Sequence, residues 1–182
     1  MKHGIIQRAF VPAVLALSGL GAGAAHAEKL EFDYRIYPPL KAAMDNQGDD
    51  TVYFDNTQPG RMFDRILVVG KSAETDWIEA LELVVTRRDA KARSPDEWYR
   101  KFRPAAETAC PGNVAVLTRD DKSLTFALDA TPCTGGTPLT ALYRVFYGRK
   151  SVYVVGAKYK GKMAPTQREQ WLALLASVHL SR

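Results

Sequence analysis

Two aromatic and β-branched segments, residues 139–147 and 151–159, are separated only by Gly148-Arg149-Lys150. So short a break between such runs reads as a β-hairpin. Residues 113–118 and 123–129 have the same form around the charged turn "TRDDKS", with Leu124, Phe126 and Leu128 alternating against Thr125 and Ala127. Upstream, residues 61–69 and 77–86 are strand-like, joined by the polar loop 70–76. Long runs of adjacent strands favour an antiparallel β-sheet packed by helices, an α+β sandwich.

In "WIEALELVVT" a regular strand puts Trp77, Glu79, Leu81, Leu83 and Val85 on one face and Ile78, Ala80, Glu82 and Val84 on the other. Glu79 and Glu82 then point apart, as solvated rim residues rather than an acid/base pair. Two helices complete the set. The first has Ser94 as cap, Pro95 at its first position and Glu97 completing a capping box. Trp98, Phe102, Ala105 and Ala109 recur at helical spacing, and Pro104 predicts a kink or break. The second runs from Pro165 to His179, with Gln167, Arg168, Glu169 and Gln170 facing water and Trp171, Leu172, Leu174, Leu175 and Val178 buried. Between residues 28 and 60, "LEFDYRIY" suits a strand, "PPLKAAM" one or two helical turns, and "TVYF" a short strand before the "NTQPG" turn.

Residues 1–27 read as a secretory signal peptide: Lys2 and Arg8, an apolar stretch from Phe10 to Leu20, then the A-x-A site Ala25-His26-Ala27. The apolar stretch is too short to span a bilayer. The expectation is cleavage between Ala27 and Glu28, a periplasmic or secreted location, and one domain over residues 28–182, with no further stretch long enough to cross a membrane. The formal charge of +5 becomes +3 after cleavage, 23 basic residues against 20 acidic. So small an excess does not indicate a nucleic-acid role.

His3 and His26 leave with the signal, and His179 lies near the end of the chain as a helix cap or solvated residue. One histidine so placed is poorly suited to His-based catalysis or metal binding. No nucleophile elbow, phosphate loop, dinucleotide fingerprint or zinc motif is present, so neither a catalytic residue, nor a cofactor, nor a metal is expected. A carboxylate-only hydrolase needs just two acids, but no pair stands out. Cys110 and Cys133 are the only cysteines. They lack C-x-x-C spacing and enough companions for zinc, and in an exported protein they read as one disulfide. It would clamp a helix end across the open end of the 113–129 hairpin, stabilising the domain by about 3–3.5 kcal/mol on loop entropy.

In the aromatic hairpin Tyr143, Val145 and Tyr147 share a face, as do Tyr153, Val155 and Tyr159. Lys158, Lys160 and Lys162 alternate on the opposite face, with Arg144, Arg149 and Lys150 adding to a basic edge. Lysines guard sheet edges against aggregation. The same six residues are the candidate surface for an acidic partner or anionic lipid headgroups.

The layout resembles the PsbP-like fold and small exported bacterial proteins of that architecture. The features that carry it are "TDWIEALELVV", the helix ending at Cys110, the two-cysteine hairpin, and the aromatic hairpin before "QWLALLASV". The resemblance covers roughly residues 61–179 and implies an accessory or binding module without a catalytic site. The leading expectation is therefore a non-enzymatic exported module that binds another protein, one concrete version being an immunity protein against a secreted toxin. The alternative is an envelope accessory protein that binds lipid or a small apolar ligand. A cell-wall hydrolase is the remote third.

Overall fold

A computed structural model describes residues 28–88, 94–109, 112–130 and 138–181. The expected signal peptide and both cysteines, with the clamp expected of them, lie outside the described residues.

The fold is α+β. Seven antiparallel strands form one sheet: β2 (Val52–Asp55), β3 (Arg61–Ser72), β4 (Asp76–Arg87), β5 (Gly112–Arg119), β6 (Ser123–Ala130), β7 (Leu139–Tyr147) and β8 (Ser151–Lys160). Their order across the sheet is β2-β3-β4-β8-β7-β6-β5. Every neighbour except the β4–β8 pair is also a neighbour in sequence, so the sheet is two meanders, β2-β3-β4 and β5-β6-β7-β8, joined by one long-range pairing, Glu79 opposite Tyr159 through Arg87 opposite Ser151. A separate two-stranded ribbon joins β1 (Lys29–Glu31) to β9 (His179–Ser181), with Leu30 opposite Leu180.

The helices divide between the faces. On one face lie α1 (Pro38–Asp45) and α3 (Pro165–Ser177), sharing a core with Leu81, Leu142, Tyr153 and Val155. Trp171 is its largest fully buried side chain at 0% exposure, beside Leu174, Leu175 and Val178. On the other face α2 (Pro95–Ala109) brings Trp98, Tyr99 and Phe102 onto Phe126, Val145 and Tyr143. Cover on both sides explains why β6 is buried at every position from Ser123 to Leu128. Ala127 belongs to the first core while Leu124, Phe126 and Leu128 belong to the second.

Several local expectations need revision. α2 passes unbroken through Pro104. Proline removes one N–H but leaves the remaining ladder intact, and the Thr108 hydroxyl donates to the Pro104 carbonyl at 2.8 Å. Its start is as expected, with the Ser94 hydroxyl accepting the Glu97 N–H at 3.2 Å. α3 ends at Ser177, and His179 belongs to β9, exposed and 3.6 Å from Glu31. Val178 closes that helix and the chain turns to pair with β1, a partner about 150 residues away that local periodicity cannot reveal. Gln167 does not face water alone: its Oε1 accepts the Ala164 N–H at 3.2 Å while its amide reaches into the core.

Trp77 also departs from regular alternation. The β3–β4 register shifts between Val69 and Gly70, where Gly70 has φ +138 and no room for a Cβ against the backbone of Asp76. The irregularity moves Trp77 off the face of Glu79. Its ring lies under the Arg65 guanidinium at 5.0 Å and the Lys160 ammonium at 4.5 Å.

Candidate functional site

α2 rests on β5, β6 and β7. Among the described residues no helix covers the β2–β3–β4 half of the same face, so the side of α2 and the bare sheet form a groove. Trp98 and Phe102, stacked 4.9 Å apart, make one wall. Tyr53 and Phe63 make the facing wall, and Val84, Val154 and Tyr143 lie between them. The hollow holds about 460 Å³ and continues past Trp98 and Phe102 into a second of about 310 Å³, lined by Thr86, Arg87, Lys101, Tyr147 and Val152.

Alternation along the strands places these groups. Phe63 lies opposite Val84 and Arg65 opposite Glu82, with Tyr53 beyond Arg65 on β2. On β8, Gly156 lies opposite Glu82 and Tyr143, so the Tyr143 ring leans over a residue without a side chain. A Cβ at Gly156 would stand 2.9 Å from Tyr143 Cε1. Tyr143 therefore fills the floor because its neighbour is glycine.

At one end of the floor is a buried ionic cluster. The Glu82 carboxylate side chain, 4% exposed, meets Arg65 at 2.8 Å and Lys158 at 2.5 Å, whose side chains are 15% and 21% exposed. Arg65 also donates to the carbonyls of Ala73 and Glu74 at 3.0 and 3.2 Å. Burial works against the Lys158 charge, but Tyr143 and Glu82 outweigh it and hold the ammonium above its ordinary range. Burial raises the Tyr143 phenol, with Lys158 opposing. The other groove carboxylate, Asp55, accepts from the Thr57 hydroxyl at 2.7 Å and its amide at 3.0 Å, which lower its pKa.

Glu79 lies on the opposite face, 2% exposed. Its Oε1 accepts from Tyr37 Oη at 2.7 Å, Gln167 Nε2 at 2.7 Å and Trp171 Nε1 at 2.6 Å. One carboxylate thus ties β4 to the entry of α1 and to α3. Glu79 and Glu82 do point apart as expected, but both are buried rather than on a solvated rim.

The six cations expected to form one surface are dispersed. β8 lies between β4 and β7 in the middle of the sheet, so Lys158 and Lys160 do not guard an edge; the edges are β2 and β5. Lys158 is engaged by Glu82 and Lys160 covers the Trp77 ring. Arg144 sits on the α3 face, donating to the carbonyls of Leu175 and Ala176 at 2.7 Å and covering the Phe146 ring at 4.6 Å. There it caps the C-terminus of α3, where a cation meets the negative end of the helix. Arg149 and Lys150 occupy the β7–β8 turn, with the Arg149 amide donating to Glu28. The ten residues of β8 separate that turn from Lys160 and the exposed Lys162 by about 30 Å.

The groove was not foreseen. Its signal in the sequence was weak: the alternation of Arg61, Phe63 and Arg65 on β3, and Glu82 on the face away from Glu79. Nothing local said that β8 would bring Lys158 beside them.

No family model matches the chain, and no curated protein matches it. A solved crystal structure of a protein from Bacteroides thetaiotaomicron VPI-5482 is similar at 7% identity, with a TM-score of 0.38. The match covers 72% of this chain and 42% of that one, so the chain spans less than half the length of that neighbour.

Proposed function

We propose that the protein is an exported, non-catalytic binding module whose ligand seat is the groove between α2 and the open half of the sheet. The observation that carries the reading is the aromatic-walled hollow of about 460 Å³ over an apolar floor, within the size range of small-molecule sites. Its occupant is a small ligand with an apolar body. A protein partner was expected from the signal peptide, the stapled small domain and the missing catalytic motifs, with the six cations as its candidate surface, and their dispersal leaves that surface with less support.

A binding role suits the carboxylates. Asp55 is held below its ordinary range by Thr57 and is not set up as a proton donor, and Glu82 is engaged by two cations. Glu79 lies across the sheet and cannot flank a bond in the groove. Export and the Cys110–Cys133 clamp belong to the same proposal. They are tested by N-terminal sequencing of envelope-derived protein and by its intact mass after alkylation without reductant.

Native mass spectrometry of that protein tests the seat. A bound small molecule, lost on Val84→Trp while the fold is retained, supports it. Ligand-free protein that takes up no apolar compound overturns it.

A further inference from the structure

Arg61, Arg65 and Lys158 line the larger hollow against two carboxylates, Asp55 and Glu82. Asp55 lies opposite Phe63, where it accepts from Thr57 and faces the Arg61 charge. That leaves Glu82 alone against Arg65 and Lys158, an excess of one positive charge. The convergence of these two cations is fixed by distance. Arg65 Nε and Nη2 both meet Glu82 Oε1 at 2.8 Å, and Lys158 Nζ meets Oε2 of the same carboxylate at 2.5 Å. Lys158 lies opposite Ala80 and reaches Glu82 past Gly156, which has no side chain in the way. The same gap holds the Tyr143 ring, 5.9 Å from the ammonium. Arg65 Nη1 is taken by backbone carbonyls, whereas Lys158 gives Glu82 only one of its three N–H donors. Along the same face, the pair after Glu82 and Gly156 is Val84 opposite Val154, and the next is Thr86 opposite Val152, which line the second hollow. A charged end thus opens onto an apolar track.

We propose that the groove binds a monocarboxylate with an acyl or aryl body, its headgroup at Arg65 and Lys158 and its body along Val84 and Val154. This rests on the groove being the ligand seat. Charge complementarity selects the class: a monoanion cancels the excess, a dianion reverses it and a cation adds to it. Both cationic side chains are largely withdrawn from solvent, so their attraction for a headgroup is screened less than in bulk water. Hydrogen bonds between ionised partners are also stronger than those to a neutral hydroxyl. A neutral ligand of the same shape keeps the burial of its body and loses that attraction. Glu82 competes with the headgroup for the same two cations, so weakening Glu82 strengthens the ligand.

Isothermal titration calorimetry with decanoate and with 1-decanol is the test, with melting temperature checking the fold of each variant. The expected result is decanoate binding about tenfold tighter than decanol, the ratio that one charge-assisted hydrogen bond supplies. Glu82→Gln should tighten decanoate further and leave decanol unchanged, an effect opposite to that of merely loosening the groove. Lys158→Met leaves Arg65 and Glu82 as a balanced pair and should bind both probes alike. Equal binding of both probes by the unaltered protein overturns the headgroup assignment and leaves the groove as an apolar seat. A decanoate preference that survives Lys158→Met, or that Glu82→Gln fails to increase, does the same. Binding of neither probe by the unaltered protein overturns both the assignment and the groove reading.

Discussion

Glu79 and Glu82, three residues apart on β4, bury their carboxylates on opposite faces of the same strand and are satisfied by different means. Glu79 takes three neutral donors, whereas Glu82 takes two cations. Removing Glu82 strands Arg65 and Lys158, and breaking a buried pair from one side costs about 3–5 kcal/mol. Glu82→Leu should therefore destabilise by about that amount in urea denaturation. Adding Lys158→Met should recover part of the loss, giving a double variant less destabilised than the sum of the singles.

Tyr37 donates to Glu79 from inside the core. Tyr37→Phe removes a hydrogen bond to a charged group, expected to cost about 1.5–3 kcal/mol at neutral pH. Burial first, and then Glu79, push the Tyr37 phenol above its ordinary range. Its contribution is complete below the pKa of an unfolded tyrosine and is lost as pH rises through the higher folded value. In an alkaline ultraviolet titration Tyr37 should ionise after the exposed tyrosines, with unfolding, together with Tyr143 and Tyr153, whose phenols burial also raises, and Tyr37→Phe should reduce that late step by one tyrosine.

Asp64 sits on β3 at 8% exposure, and burial raises its carboxyl pKa. The fold therefore favours the protonated form. That advantage is fully present below the unfolded pKa, near 3.9, and disappears as pH rises through the folded value. Asp64→Asn should raise the melting temperature at pH 7, and the gain should vanish by about pH 3, where the native carboxyl is neutral. A gain independent of pH would show that the charge is not the cause.

The unbroken passage of α2 through Pro104 gives a stabilising substitution. Pro104 is exposed, so its replacement sacrifices little packing. Pro104→Ala restores an N–H and removes a residue disfavoured by about 3 kcal/mol in helix interiors. An increase in unfolding free energy of about 1–3 kcal/mol is expected from denaturant titration.

Gly156 governs the groove floor through Tyr143. Gly156→Ala should displace that ring, costing about 1–3 kcal/mol as an overpacking change. The near-ultraviolet circular dichroism should alter, and uptake of an apolar ligand should fall. Retained uptake with an altered aromatic signal would place the ligand away from Tyr143.

The strands and helices were legible because each depends on nearby residues. The hairpins around Gly148-Arg149-Lys150 and around Asp120 announce themselves by alternation and turn chemistry, and Ser94-Pro95 starts α2 as written. What local pattern could not supply was neighbourhood. Lys158 looks like an edge guard until β8 is placed beside β4, which puts it against Glu82. Arg144 looks like a surface cation until the end of α3 is brought over it. Glu79 looks solvated until Tyr37, Gln167 and Trp171 converge from two other elements. Trp77 changed face because a bulge at Gly70 interrupts the period that the alternation argument assumes. The groove is a product of these neighbourhoods: α2 is shorter than the sheet is wide, and no spacing in the chain states that directly.

The ribbon of β1 and β9 makes the extremities of the domain interdependent. Lys29 lies opposite Ser181, so their backbones stand about 5 Å apart. A short linker could join them and new ends could be opened at an exposed turn, giving a circular permutant with the same sheet. Conversely, trimming residues 179–182 removes the partner of β1 and loosens the segment that leads to Tyr37, so damage at β9 is transmitted to β1 through three paired residues.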